Sequence, residues 1–355
     1  MPRSAQGRAT RRLGIAGGVL CALAVAAMAV DPVPALRAWL AAAVFCSGVP
    51  IGALPLLLMM RLIPGAWAKA LMPTAEAQIL LLPIAALALL PVLLGLGPIY
   101  RWAGAAPASA FQAAYLIPWF FALRTVLWFA CLGAVATLVL LRRAWSTPVA
   151  CAGLAVYAVF GTAIAVDWVM SLDPSFHSSG FGLYLLSIQA AVALAAMILA
   201  CPVARASRHA PILGALLLTT VLLWAYLAFM QYVIIWSGNL PEGVRWYEGR
   251  AGAGWTMVLW GIALLHFGPL LLLLLPPVRG SVRALRPLAA TVLAGKAAEC
   301  AWLVLPADGG TAALPAGLAF VAATAGIGAV IAAVWPLAAA WRDRIGTRMR
   351  EGVAP

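Results

Sequence analysis

Six side chains stand out because they bring charge or an amide into long apolar stretches: Arg124, Asp167, Gln231, His266, Lys296 and Glu299. An ionisable group at membrane depth costs about 2.5–3.5 kcal/mol on insertion scales, so each needs a partner or a task. Lys296 and Glu299 are three residues apart and share one helix face. They suit a self-neutralised ion pair that packs the bundle, a proton relay, or the wall of a quinol pocket. Arg124 and Asp167 suit a pair between neighbouring spans, as structural glue or as part of a proton path. His266 reads as a lone histidine that packs in the core or bonds a neighbour, with a ligand role as the alternative.

The chemistry open to these residues is bounded by what accompanies them. The chain has three histidines, and His177 and His209 fall in loops on opposite sides of the membrane. A b-type haem in a helical bundle wants two axial histidines at depth, so bound haem is not expected. The six cysteines (Cys21, Cys46, Cys131, Cys151, Cys201 and Cys300) all lie in apolar runs and form no CxxC. They read as small buried hydrophobes, not as an iron–sulfur, thiol-attached haem or zinc site. There is no Walker motif, no GxGxxG and no catalytic triad. Any electron-transfer role therefore requires redox centres held by partner subunits, with no catalytic residue and no metal or cofactor bound by this chain.

The elements that position these groups follow from composition. Of 355 residues, 65% are hydrophobic and 9% charged, against about 25% charged in soluble domains. A bilayer core takes roughly 20 apolar residues in a helix. On that criterion ten spans are expected, at 13–30, 38–60, 78–97, 115–140, 149–170, 181–201, 211–236, 252–276, 286–305 and 313–341. The result is an all-α polytopic protein of one integral membrane domain. Proline recurs at Pro83, Pro91, Pro118 and Pro269, where each removes a backbone donor and is expected to kink its span. No internal repeat is evident.

The net charge of +13 sits in short loops and reads as a topology signal, not as a nucleic-acid surface. Seventeen of the 23 basic residues fall on the N-terminal side: Arg3, Arg8, Arg11, Arg12, Arg61, Lys69, Arg142, Arg143, Arg205, Arg208, Arg279, Arg283, Arg286, Arg342, Arg344, Arg348 and Arg350. The other side has Arg37, Arg101, Arg245 and Arg250. This bias predicts a bacterial inner-membrane protein with both termini in the cytoplasm. The basic start followed by an apolar stretch also fits a signal peptide, whose cleavage would leave nine spans.

With that orientation, a rise of about 1.5 Å per residue gives depths. Arg124 lies near the middle of its span and Asp167 near the outer end of the next. Gln231 lies roughly 9 Å below the outer end of the seventh. Lys296 and Glu299 occupy the middle to outer part of the ninth, and His266 lies deeper toward the cytoplasm. Two outer loops carry the remaining specific pattern. One runs from Asp167-Trp168 to Asp173-Pro174. The other holds Asn239, Pro241, Glu242, Trp246, Tyr247 and Arg250. Interfacial aromatics are ordinary, but the acidic and proline-bearing pattern suits docking of a periplasmic partner.

At these residues the chain resembles the second polysulfide-reductase-like (NrfD-type) membrane subunit of bacterial alternative complex III, a quinol:cytochrome c oxidoreductase. The resemblance runs in order from about residue 50 to 306. Tyr115-Leu116, Phe120-Phe121 and Arg124 resemble its YLN..FF..R segment. Asp167-Trp168-Val169-Met170-Ser171-Leu172-Asp173-Pro174 resembles its DW-MSL-[DE]-P signature. Trp224-Ala225-Tyr226-Leu227-Ala228-Phe229, Gln231-Tyr232, Ile235-Trp236, Asn239 and Pro241-Glu242 follow its WAYIAFSQY..IW..N.PEE run, and Trp246-Tyr247 and Arg250 continue it. Lys296, Glu299 and Trp302-Leu303-Val304-Leu305-Pro306 resemble its R..D..WLVMP segment.

There are departures: Ile117 for the family's Asn, Ser175-Phe176 for His-Trp with His177 displaced, and Gly243 for the second Glu of PEE. Ile212-Leu213-Gly214-Ala215 replaces Asp-Leu-Gly-Lys and loses an acid and a base, which puts the family's inner proton route in doubt at the seventh span. The resemblance implies two four-helix bundles, spans 2–5 and 6–9, with two flanking helices. It implies a sister polysulfide-reductase-like subunit that is the main quinol site, and periplasmic partners carrying Fe–S clusters and haem c. This chain would then be an assembly and proton-handling subunit. The alternatives are a stand-alone secondary transporter and a membrane anchor for another Fe–S or molybdenum oxidoreductase.

Overall fold

The computed structural model describes residues 3–107, 109–141, 147–306 and 313–350, so Arg142 and Arg143 lie outside the described residues. All regular structure among the described residues is helical. The first elements are α1 (Arg3–Val30), α2 (Pro32–Leu62), α3 (Ala66–Ile79), α4 (Leu82–Ala88), α5 (Leu90–Leu94) and α6 (Leu96–Ile99). Then come α7 (Ala110–Tyr115), α8 (Pro118–Leu140), α9 (Thr147–Trp168), α10 (Phe181–Ala200) and α11 (Val203–Ser237). The chain ends with α12 (Pro241–Glu248), α13 (Ala253–Leu274), α14 (Pro276–Arg279), α15 (Val282–Val304) and α16 (Ala313–Arg350). Nine helices among the described residues are long and apolar enough to cross a membrane, and the pair α3 with α4–α5, bent by 44°, makes ten. The protein is a multi-pass membrane protein.

The third span departs from its expected bounds of 78–97. It starts at Ala66 and breaks after Ile79. Pro83 has no N–H to give the Ile79 carbonyl, and Pro91 none to give Leu87, so the i→i−4 ladder fails at each. The side chain of Trp39 donates its indole N–H to the Ala88 carbonyl at 2.7 Å, which satisfies a backbone group at the second break. Pro118 does not kink its span. It is the first residue of α8, where a missing N–H costs nothing. Arg37, expected in a loop, is buried in α2.

The packing divides the spans as the bundle picture requires. α2, α3–α5, α8 and α9 pack together, α10, α11, α13 and α15 form a second group, and α10 and α15 cross onto α2 between them. α16 packs on α1 and α2 as a flanking pair. A Cβ on Gly17 would lie 2.9 Å from Ala329 Cβ, and Gly14 faces Ala333. The two flanking helices are therefore antiparallel, and the start of α1 and the end of α16 share one face, called here the termini face. The opposite face is the distal face.

Without a hydrophobic drive between helices in lipid, close approach through small residues holds such bundles together. At the bundle interface Gly48 and Gly52 of α2 meet α10, and a Cβ on Gly52 would sit 2.1 Å from the Gln189 carbonyl oxygen. Gly52→Ala is expected to destabilise the protein by about 1–3 kcal/mol through overpacking. Gly18→Ala, where a Cβ meets nothing within 4 Å, should leave stability unchanged or slightly raised. Thermal unfolding midpoints of the two variants in one detergent check this.

Candidate functional site

The six candidate residues separate into two groups, one in each bundle. In the first, Arg124 on α8 grips Asp167 on α9 with two parallel bonds, Nε–Oδ2 at 2.6 Å and Nη2–Oδ1 at 2.9 Å. The remaining donor Nη1 reaches the Tyr115 carbonyl at 3.1 Å. The guanidinium also lies over the rings of Tyr115 and Phe120 at 3.9 and 4.2 Å. The bidentate geometry and the planar stacking are what a guanidinium supplies and an ammonium does not. Around the pair, Trp168 Nε1 bonds Thr125 Oγ1 at 3.1 Å, Tyr100 donates to the Trp168 carbonyl at 2.9 Å, and Ser171 donates to the Asp167 carbonyl at 2.5 Å. Every polar group named here has a partner, so the arrangement is closed.

The second group converges on one carboxylate. Lys296 Nζ is 2.9 Å from Glu299 Oε2, and both residues are buried at 1% exposure or less. Glu299 Oε1 accepts the indole N–H of Trp224 on α11 at 2.6 Å and the hydroxyl of Tyr184 on α10. Lys296 Nζ also sits 3.6 Å from the centre of the Trp224 ring. His266 on α13 stacks on the other side of the cluster, 4.0 Å from Trp224. It packs in the core and bonds a neighbour, as expected, but lies level with the pair and not deeper. A Cβ on Gly295 would lie 2.6 Å from its Cε1, so the glycine makes the room that brings His266 level with Lys296. His266 Nδ1 is 2.7 Å from the Ile262 carbonyl and must donate to it. In the neutral ring that leaves Nε2 as an acceptor. Nε2 is 3.9 Å from Glu299 Oε2, too far for a hydrogen bond, and it is buried with no bonding partner among the described residues. A proton taken up at Nε2 would place a positive charge 3.9 Å from the carboxylate.

This cluster is reachable. A cavity of about 240 Å³ runs between α11 and α13 and ends on Glu299, Tyr184 and Trp224. Gln231, Tyr247 and Trp302 line its distal side. Its rim includes Tyr232, Leu259 and Phe267, each more than two-fifths exposed on the outside of the bundle. Those are apolar or amphipathic side chains on membrane-spanning helices, so the mouth opens sideways into lipid. Gln231 accepts a bond from Ser178 at 3.4 Å, which connects the distal end of the cavity to the loop after α9.

No protein-family model matches this chain, and no curated protein is significantly similar to it.

The distal loops divide by burial. Asn239, Pro241 and Glu242 are exposed, and Asp173 and Pro174 half-buried. Asn239 takes a left-handed φ of 43° at the turn into α12. Glu242 meets His177 across the two loops at 3.5 Å. Trp246 and Arg250, expected from the sequence to be docking residues, point inward instead. Trp246 stacks on Phe176 at 4.6 Å. Arg250 lies 3.6 Å from the Trp246 ring centre and donates to the Trp246 and Leu303 carbonyls. Burial pushes Arg250 down to about 9, which leaves it cationic at neutral pH. These two residues fasten α12 to the end of α15, and Tyr247 lines the cavity.

Sequence reasoning misses two kinds of residue. Tyr184 lies in an apolar run of α10 with nothing in its spacing to single it out. Glu76 falls in an expected loop because the hydropathy criterion starts the third span too late, yet it is buried on α3 beside Arg61 and Arg342. A lone acid inside an apolar run that includes Gln78 is the available signal.

Proposed function

We propose that the chain is an integral membrane subunit of a respiratory quinol oxidoreductase, similar to the second membrane subunit of alternative complex III. In this reading, which departs from the resemblance in placing a quinol site in this chain and not only in the sister subunit, it admits a quinol head group and Glu299 accepts its hydroxyl proton. The observation that carries the reading is the cavity that opens to lipid and ends on a buried carboxylate. A quinol is a lipid-soluble ring with two hydroxyl groups. It needs an apolar side entrance, aromatic walls and a hydrogen-bond acceptor at depth; α11 and α13 offer the first two and Glu299 of α15 the third. Lys296 would balance the carboxylate before proton uptake, and the acceptor Nε2 of His266 would be the next group able to take the proton, so that Glu299 returns to its paired, charged form. Tyr184, Gln231 and Ser178 would lead the proton toward the distal loops.

The chain's own residues bind, orient and hold the proton. The electrons require centres elsewhere, Fe–S clusters and haem c in partner subunits seated on the exposed distal residues Asn239, Pro241 and Glu242. The basic-residue bias supports cytoplasmic termini in a bacterial inner membrane, with the distal face periplasmic. A stand-alone transporter is less well supported, because a solute path wants a polar cavity open to water and this one opens to lipid.

Purification of the tagged full chain from native membranes in mild detergent tests the reading. The expected outcome is co-purification with haem c and iron and a quinol:cytochrome c activity. An isolated single chain without redox partners would overturn it. In such a complex, Ala263→Phe narrows the cavity without touching the charges. It is expected to raise the quinol KM at least about tenfold with kcat little changed, the signature of lost ground-state binding.

A further inference from the structure

The termini face holds a second charge cluster, gathered round the buried Glu76, at the far side of the molecule from the Glu299 cavity. Glu76 on α3 bonds Arg61 near the end of α2 at 2.8 Å and Arg342 on α16 at 3.0 Å. These three line a cavity of about 490 Å³ together with Lys69, which is exposed. The charged groups of this lining are three cations and one anion. Asp343, which pairs with Arg342 at 2.6 Å, lies outside the lining. The cavity therefore carries net positive charge at the edge of the membrane.

An apolar groove of about 470 Å³ adjoins it, between α4, α8 and α16. The two have no lining residue in common but border the same two stretches of chain, α3 and α16. On α3 the residues Lys69, Met72, Pro73 and Glu76 face the cavity, and Ile79 at the end of the same helix face, with Leu80 just beyond it, lines the groove. On α16 Arg342 lines the cavity and its neighbour Trp341 lines the groove. A run of Gly133, Ala136, Thr137 and Leu140 from the last turns of α8 completes the groove at the depth of the leaflet on the termini side.

We propose that this composite site binds one anionic phospholipid, with its phosphate on Arg61, Lys69 and Arg342 and an acyl chain in the groove. Basic pockets between membrane helices recognise anionic head groups, and interfacial tryptophans such as Trp341 mark head-group level. The charge alone would take any phosphate and the groove alone any acyl chain; their junction on α3 and α16 selects a molecule with both. The lipid would join the flanking helix α16 to the first bundle, where Glu76 is the polar link among the residues of this lining.

Native mass spectrometry of the delipidated full chain, titrated with phosphatidylglycerol, phosphatidylcholine or inorganic phosphate, tests the site. Phosphatidylglycerol should be retained at least about fivefold more tightly than phosphatidylcholine. Lys69→Gln, an exposed change, should weaken phosphatidylglycerol about fivefold and leave phosphatidylcholine unchanged. Gly133→Leu fills the groove at a position where a Cβ meets nothing within 4 Å. It should weaken the lipid and leave inorganic phosphate binding unaltered. Equal retention of the two lipids, or phosphatidylglycerol binding indifferent to both variants, would overturn the proposal. So would inorganic phosphate displacing the lipid at equal concentration.

Discussion

Glu299→Gln is expected to reach membranes at less than about a tenth of the wild-type level, because it leaves Lys296 buried beside a neutral amide. Breaking one partner of a buried pair costs about 3–5 kcal/mol, and 1.4 kcal/mol is already tenfold. That loss by itself would say only that the pair is structural. The informative protein is the double variant Lys296→Met with Glu299→Gln. Met fills the lysine stem's volume over Trp224, and Gln retains an acceptor for Tyr184 and the Trp224 indole. Assembly should return to near the wild-type level, measured as monodisperse complex per membrane mass. Quinol oxidation by that assembled complex should remain below about 1% of wild type, since a positioned proton acceptor contributes roughly 10²–10⁴-fold. Normal turnover in the assembled double variant would sink the role assigned to Glu299 and leave the cluster as packing.

The second large effect is expected at the closed pair of the first bundle. Asp167→Ala strands a guanidinium that now makes two bonds to the carboxylate. A penalty of about 3–5 kcal/mol is expected, enough to remove most folded protein from a detergent extract. Replacing both charges, Arg124→Met with Asp167→Leu, should recover folded protein, because a buried ion pair can be exchanged for apolar residues at little cost. Since no cavity reaches the pair through the residues lining the Glu299 site, turnover per assembled complex should stay within about threefold of wild type. If the double variant assembles and loses quinol oxidation as completely as the Glu299 variant, Arg124 and Asp167 carry function and not only packing. The contrast between the two double variants thus separates a charge cluster that is used from one that holds helices.

The span count and the helix class follow from the sequence alone, because crossing a bilayer requires some twenty apolar residues in a row and backbone bonds closed within each segment. So do the identities of the expensive charges, since Arg124, Asp167, Lys296 and Glu299 interrupt runs that otherwise contain none. The i,i+3 spacing also makes the Lys296–Glu299 pair readable, as it is set by the geometry of a single helix.

What joins different helices is not readable in this way. His266 is expected to be alone when only its own helix is considered; its place beside Trp224 depends on Gly295 of α15 leaving space. Tyr184 is anonymous in α10 until α15 brings Glu299 against it. Trp246 and Arg250 look like exposed loop residues because their neighbours in sequence are polar, yet the partners that bury them, Phe176, Trp302 and the Leu303 carbonyl, come from other parts of the chain. The sequence determined which charges must be paired, because an unpaired charge in one helix crossing a slab of lipid is costly whatever its neighbours, but it misplaced the depth of His266. Only the tertiary structure decided which helix supplies each partner and where the bundle stays open, because the lateral packing of ten similar apolar helices rests on small-residue contacts that leave little trace in composition.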